Sequence, residues 1–268
     1  SGLGGGPLQL SQQDWNNRRG MIMPALYAMR ARRYMHDRGL KLETLADISV
    51  KNRKHGVLNP IAKFAKLATR EEILASRPVA EPLTLLQCCP AVVDGAAALV
   101  LSTKPSQGVA KPVQVLASVV QSGLFETTPV DMTEAEITAR AARLAYEQAG
   151  VGPQDLSLLE VHDAFTISEL LYYEALGLCD RGDAAALLHS GATALGGRVP
   201  VNPSGGLLAK GHPPGATGVA QIVEVCEQLQ GRAGARQVQG ARIGLTQVTG
   251  GGIWGVDHAA CAIHILSL

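Results

Sequence analysis

The chain has 268 residues, with 24 lysines and arginines against 23 aspartates and glutamates, a balance that excludes electrostatic capture of nucleic acid. Hydrophobic residues at 46% and charged residues at 18% exclude a disordered chain and leave ample apolar surface for a core. No apolar stretch reaches membrane-spanning length, and the N-terminal SGLGGGPLQL is not a secretory leader, so a soluble, cytoplasmic protein with no membrane partner is expected. Ser1 stands where an initiator Met is usual, which leaves processing, trimming or loss of upstream sequence open. Cys88, Cys89, Cys179, Cys226 and Cys261 show neither metal-ligand spacing nor an even framework, which points to a reducing compartment and to no metal site.

In chain order, the run from Gly20 to Gly39 places Met23, Leu26, Tyr27, the stem of Arg30, Tyr34 and Met35 close to helical spacing, with Pro24 in the first turn and Gly39 as C-cap. A second helix spans Leu42 to Arg53. Lys51, Arg53, Lys54, His55, Lys63 and Lys66 form the one basic concentration. They read either as a solvated face or as a site for the phosphates of a carried nucleotide diphosphate. Pro90 to Leu101 is a turn followed by a small-residue apolar run, which predicts a strand buried on both faces. Val113 to Ser122 predicts another strand. Thr133 to Gly150 predicts a helix with Thr133 as N-cap, Glu136 completing a capping box and Gly150 as C-cap. A short strand over Leu156 to Val161 is followed by helices over Thr166 to Leu178, Asp183 to His189 and Ala216 to Leu229. A closing strand pair covers Ala241 to Thr246 and His258 to Leu266. Helices alternating with short buried strands predict a layered α/β fold with a mixed sheet.

Two segments differ from scaffold. In EVHDAFT, residues 160–166, His162 and Asp163 follow a buried strand and precede a helix, at the carboxyl end where ligands collect in open α/β sheets; an ordinary helix entry is the alternative. In NPSGGLLAKGHPPGATG, residues 202–218, glycines and prolines surround His212 before a helix opens, so backbone can approach a ligand closely; a tight turn with an incidental histidine is the alternative. A third cluster, Gly250, Gly251 and Gly252, offers N–H donors to a developing oxyanion.

The phrases LTLLQCCPAVVDGAAALVL, EVHDAFTISELLYYEALGLC and NPSGGLLAKGHPPGATG, in that order, resemble the thiolase superfamily, and within it the sterol-carrier-protein-linked and bacterial or archaeal acetyl-CoA acetyltransferase-like branches. The resemblance implies a layered α/β/α/β/α fold with mixed sheets, built from two βαβαββ halves with a loop domain inserted in the first. It implies three parts here: 1–82 as loop domain and remainder of the first half, 83–108 as that half's closing strand, and 109–268 as the second half. The nucleophilic Cys of the family lies upstream of anything in this chain. Cys88 and Cys89 match core positions and are not promoted.

By the same resemblance His212 activates the nucleophile and helps bind the thioester oxygen. His162 stands where relatives place an Asn or His that positions a water, and Asn202, Asp163 and Gly250 to Gly252 serve as positioning or oxyanion groups. Lys51, Arg53 and Lys54 are the candidates for holding coenzyme A, which enters as substrate, with no bound cofactor expected. Both usual positions of a second, acid/base Cys are empty, being Ala164 and Val248 here. Tyr172, Tyr173 and Asp163 are the nearby groups to weigh as proton source, and Trp254 shapes the acyl pocket or simply packs. The implied activity is an acyltransferase of lipid metabolism that breaks or forms a C–C bond beside a CoA thioester, with a bulky, aromatic or steroid-derived 3-oxoacyl group. A retro-aldolase acting on a 3-hydroxyacyl-CoA and a non-catalytic subunit are the alternatives. A homodimer or larger assembly and a small zinc-ribbon and OB-fold partner of DUF35 type are the implied associations.

Overall fold

The computed structural model describes residues 22–90, 93–104, 111–124, 131–254 and 257–268. The first predicted helix is α1 (Met23–Arg38), with Pro24 in its first turn and Gly39 closing it at φ +66°, a conformation glycine reaches without strain. Gly20 and Met21, which the expected helix included, lie outside the described residues. α2 (Leu42–Gly56) runs almost a turn past Arg53, because Arg53 and His55 are themselves buried. α3 (Arg70–Leu74) begins at a capping box in which Thr69 and Glu72 exchange hydrogen bonds, at 3.2 and 2.8 Å. Short strands β1 (Pro78–Ala80) and β2 (Leu83–Thr84) pair antiparallel after it.

The remainder builds one mixed sheet with helices α4 (Glu136–Ala149), α5 (Thr166–Ala175), α6 (Ala184–His189), α7 (Gly206–Lys210) and α8 (Thr217–Gln230) around it. The spatial strand order is β3 (Gln114–Ser122), β6 (Asp257–Ser267), β5 (Ile243–Trp254), β4 (Leu158–Glu160). The first two pairings are antiparallel and the last is parallel, with Leu159 opposite Leu245. Side chains alternate between two cores, as the two-residue period of a strand demands. Leu159, Leu245, Cys261, Ile263 and Ile265 meet Ala141, Ala142 and Ala145 of α4. Leu158 and Leu266 turn the other way, toward Val225 and Leu229 of α8. Gly244 lets that helix come close, since a Cβ there would lie 2.5 Å from a Val225 methyl. α2 crosses α7 and α5, which places the N-terminal helices beside the carboxyl end of β4.

Two expectations are corrected. Residues 93–104 form no strand, and Leu99, Val100 and Leu101 are exposed, Val100 at 94%. Its composition suits a buried strand, but a strand exists only where a neighbour accepts its ladder of hydrogen bonds, and none does among the described residues. Thr133 is not an N-cap either. Its N–H and hydroxyl both donate to Asp131, at 2.8 and 2.7 Å, and α4 starts at Glu136 without a side-chain cap. The fold class itself is the α/β one expected, with mixed pairing.

Candidate active site

β4 ends at Glu160, and the chain passes through Val161, His162 and Asp163 before α5 opens at Thr166. The turn is held from several sides. Gln247 of β5 accepts the His162 N–H at 3.0 Å, and the Asn202 side chain accepts the Val161 N–H at 2.8 Å. Asp163 accepts the Leu207 N–H of α7 at 2.6 Å and the Asn52 amide of α2 at 2.7 Å. Gly206 is required at this approach: its φ is +60°, and a Cβ there would come within 2.3 Å of the Asp163 carboxylate.

A buried polar layer extends from that carboxylate. Glu169 of α5 accepts from Asn52 at 2.7 Å, from Asn202 at 2.8 Å and from the Tyr173 hydroxyl at 2.5 Å, and pairs with Lys51 at 2.6 Å. Asn202 takes φ +56°, a left-handed position that asparagine tolerates, and spends its amide on Val161 and Glu169. His55 donates from Nδ1 to the Asn202 carbonyl and accepts the Leu195 N–H at Nε2. Burial, then Lys51, brings its pKa down to about 4.

Against this frame the two predicted histidines meet. The rings of His162 and His212 lie 4.9 Å apart, edge to face at 89°. His212 comes from the glycine- and proline-rich loop, whose main chain is tied to Pro90 by the His212 N–H at 3.3 Å. Its Nδ1 lies 2.8 Å from the Thr217 hydroxyl, which donates to the Pro213 carbonyl at 2.9 Å. A hydroxyl has one proton to give, so Thr217 receives from His212, Nδ1 carries the hydrogen, and Nε2 presents a lone pair. Burial, then Lys210, brings the His212 pKa down to about 4, so the ring is neutral and basic at Nε2 near neutral pH. Burial, then His212 and His258, holds His162 well below the ordinary histidine value, and its Nδ1 has no hydrogen-bond partner.

Other predicted residues take different roles. Asp163 is fully buried, and burial and Glu169 raise its pKa, but its oxygens are spent on main-chain N–H groups and Asn52: it anchors the turn and is not placed as a proton source. Tyr173 is likewise tied inside, between Glu169 and Thr193, while the Tyr172 hydroxyl reaches Thr249 at 3.2 Å. Lys51 belongs to the interior, on Glu169 and the Val201 carbonyl, and buried Arg53 donates to the Lys66 carbonyl, so neither offers its charge to a phosphate at the surface. Lys54 remains exposed. Cys88 and Cys89 run beside the site, with the Cys89 N–H donating to the Ala164 carbonyl at 2.7 Å. Burial pushes Cys88 up to about 12 and Cys89 higher still, which keeps both as unreactive thiols. Gly250, Gly251 and Gly252 lie within β5 rather than after it, at an irregularity where the register with β6 shifts; Gly251 has φ +77°. Trp254 ends that strand, and its side chain lies outside the described residues.

Thr217, Gln247, Glu169 and Asn52 hold the site together, and the sequence did not single them out. His258 and Tyr27 stand beside it as well: the His258 ring is 6.2 Å from that of His162 and its Nε2 is 2.7 Å from the Tyr27 hydroxyl. A depression of about 480 Å³ lined by Arg143, Tyr146 and Glu174, between α4 and α5, contains neither His162 nor His212. Among the described residues no group of three or more His, Cys, Asp or Glu could hold a metal ion, and no helix is long and apolar enough to cross a membrane.

Comparison with known proteins adds to this geometry. Residues 122–263 match the family described as thiolase C-terminal domain-like. The benzoylsuccinyl-CoA thiolase subunit BbsB of Thauera aromatica is 45% identical over 90% of this chain and 64% of its own length. The acetyl-CoA acetyltransferase of Methanothermobacter thermautotrophicus is 43% identical over 96% and 66%, and sterol carrier protein 2 of Rattus norvegicus is 43% identical over 83% and 42%. The chain therefore spans less than two thirds of the length of these relatives. Among solved structures, an Ltp2-ChsH2(DUF35) aldolase superposes with a TM-score of 0.80 at 26% identity, over 97% of this chain and 69% of that one. A monomeric SCP2-thiolase-like protein type 1 from Mycobacterium smegmatis shares the fold at a TM-score of 0.66 and 17% identity, over 92% and 52%.

Proposed function

Because the chain belongs to the thiolase C-terminal domain-like family, we propose that it carries the histidine half of a site that breaks or forms a C–C bond beside a CoA thioester, as a thiolase-type acyltransferase. The observation that carries this reading is the His162–His212 pair, with Thr217 fixing the tautomer that leaves His212 Nε2 as a base. Nε2 takes the proton of a thiol nucleophile contributed by upstream sequence, and the N–H so formed then donates to the thioester oxygen on which enolate charge develops. His162, beside it, holds a water against the same oxygen. The bulge at Gly250 to Gly252 supplies N–H donors to the acyl-enzyme oxyanion.

The remaining assignments follow from this reading. Residues 1–82 form the loop domain and the rest of a first half, 83–108 its closing segment, and 109–268 the second half, which contains the family match. A bulky or aromatic acyl group is supported by the similarity to the benzoylsuccinyl-CoA thiolase subunit. That relative's being a subunit, and the DUF35 component of the superposed aldolase, support assembly with a second small subunit as well as self-association.

Aldol cleavage of a 3-hydroxyacyl-CoA is the second reading. It is favoured by the superposed aldolase and by Ala164 and Val248, which offer no thiol for proton transfer. In that chemistry His212 Nε2 takes the proton of the substrate hydroxyl. The test uses the natural full-length protein with benzoylacetyl-CoA and with a 3-hydroxyacyl-CoA. Cleavage of the former only with added CoA supports acyl transfer; CoA-independent release of an aldehyde or ketone from the latter supports the aldolase. Neither product, with a well-folded protein, leaves a non-catalytic subunit and overturns the proposal.

A further inference from the structure

Resting on the reading above, one step still lacks a group: the carbanion left by C–C cleavage needs a proton. Ala164 and Val248 have none to give, the N–H at His212 Nε2 is committed to the thioester oxygen, and Asp163 and Tyr173 are spent inside the polar layer. Beside His162 stands another polar pair. Tyr27 and His258 are buried at 1% and 4% exposure, with Oη and Nε2 2.7 Å apart. The His258 ring lies 6.2 Å from that of His162 at 72°. Tyr27 stacks on Phe165, centroids 4.6 Å apart and 23° from parallel, which fixes the phenol to the turn that carries His162. The Arg30 guanidinium sits 5.4 Å from the Tyr27 ring centroid, held by the carbonyls of Met132 and Glu134.

We propose that Tyr27 and His258 act as one unit, the proton donor to the carbanion, in place of the absent second cysteine. The C–C bonding pair becomes the enolate of the departing thioester. A proton passes from His258 Nδ1 to the α-carbon while the Tyr27 O–H bond breaks and its proton moves to Nε2, leaving a phenolate that accepts from Nε2–H. The thiol of CoA returns a proton to His258 Nδ1 as its thiolate attacks the acyl group, while the Nε2 proton passes back to the phenolate, so the unit ends as it began. In aldol cleavage the substrate's hydroxyl proton, taken up by His212 and released to solvent, balances the one that solvent returns.

The test follows deuterium uptake at C2 of acetyl-CoA in D2O by mass spectrometry, alongside cleavage of benzoylacetyl-CoA, using the natural full-length protein. Tyr27→Phe and His258→Gln are each expected to slow deuterium uptake by about 10²-fold or more, with the double variant little worse than either. Acetyl-CoA affinity stays within about threefold, because the unit meets the reacting carbon and not the nucleotide. His258→Ala should regain uptake when imidazole is added, which a purely structural histidine would not, and this arm covers a Tyr27→Phe variant that fails to fold. Uptake at the parental rate in folded Tyr27→Phe or His258→Gln, with cleavage still lost in His212→Ala, overturns this inference and leaves the proposed function standing. A folded parent that neither cleaves nor exchanges overturns both.

Discussion

The two histidine turns are fixed in opposite ways. His162 is positioned through its backbone, by Gln247 on its own N–H and by Asn202 and Asp163 on either side, while its Nδ1 is left without a partner. His212 is held by its ring on the Thr217 hydroxyl and by one longer main-chain bond to Pro90, on a loop of glycine and proline whose residues are partly open. One turn thus shares its support with the buried polar layer, and the other rests mainly on one hydroxyl and one main-chain bond. Changes around His162 should appear first as lost stability, and changes around His212 as lost rate.

The largest effect sharpens the second half of that contrast. His212→Ala should reduce C–C cleavage by about 10³-fold or more, through loss of the base and of the oxyanion donor, with the melting temperature little changed. Turnover within a few-fold of the parent would remove His212 from the chemistry. Glu169→Ala tests the first half: it strands the Lys51 ammonium, two buried amides and a phenol, and should cost about 3–5 kcal/mol in urea unfolding. An unchanged midpoint would mean that the polar layer does not hold the turn.

pH offers a third handle. His55 is charged in the unfolded chain below its usual 6.5 but stays neutral in the fold down to about 4, flanked by Lys51, Lys54 and Glu169. Its contribution is full above pH 6.5 and lost as pH falls toward 4, by roughly 3 kcal/mol. His55→Gln should flatten that part of the stability profile, and an unaltered slope would dismiss the assignment. Smallest is Thr217→Val, which removes the acceptor that selects the His212 tautomer: about tenfold in rate for about 1 kcal/mol of stability. A stability loss larger than the rate effect would reverse the contrast drawn here.

Much of this arrangement was legible beforehand, for reasons that separate local from long-range physics. α1 and α8 announce themselves by apolar spacing and end at glycines in the left-handed conformation; His212 stands out because glycines and prolines surround it, and His162 because it pairs with Asp163 at the end of a buried strand. Residues 93–104 have the composition of a buried strand and are none, because composition reports what environment a segment tolerates, while pairing depends on a neighbour. The basic cluster cannot be divided from sequence, because the three charges on α2, Lys51, Arg53 and Lys54 with Asn52 between, look alike there. Only the fold directs the first into Glu169 and leaves the last outside. Tyr27 and His258 are 231 residues apart, so no spacing rule could have joined them.

The suppressed acidity of the cysteines has a practical outcome. Cys179 is pushed up to about 12 by burial and then by Glu174, and burial also raises Cys226, so with Cys88 and Cys89 these four should be slow to form thiolate at neutral pH, while Cys261, 1% exposed, is out of a reagent's reach. Brief treatment of the natural full-length protein with iodoacetamide near pH 7 therefore becomes a census of thiols outside these five. One rapid equivalent of carbamidomethyl label, found by peptide mapping on a sixth cysteine, would identify the nucleophile that faces His212. Rapid labelling of Cys88 or Cys89 instead would mean that the segment beside the histidines opens far more readily than its burial suggests.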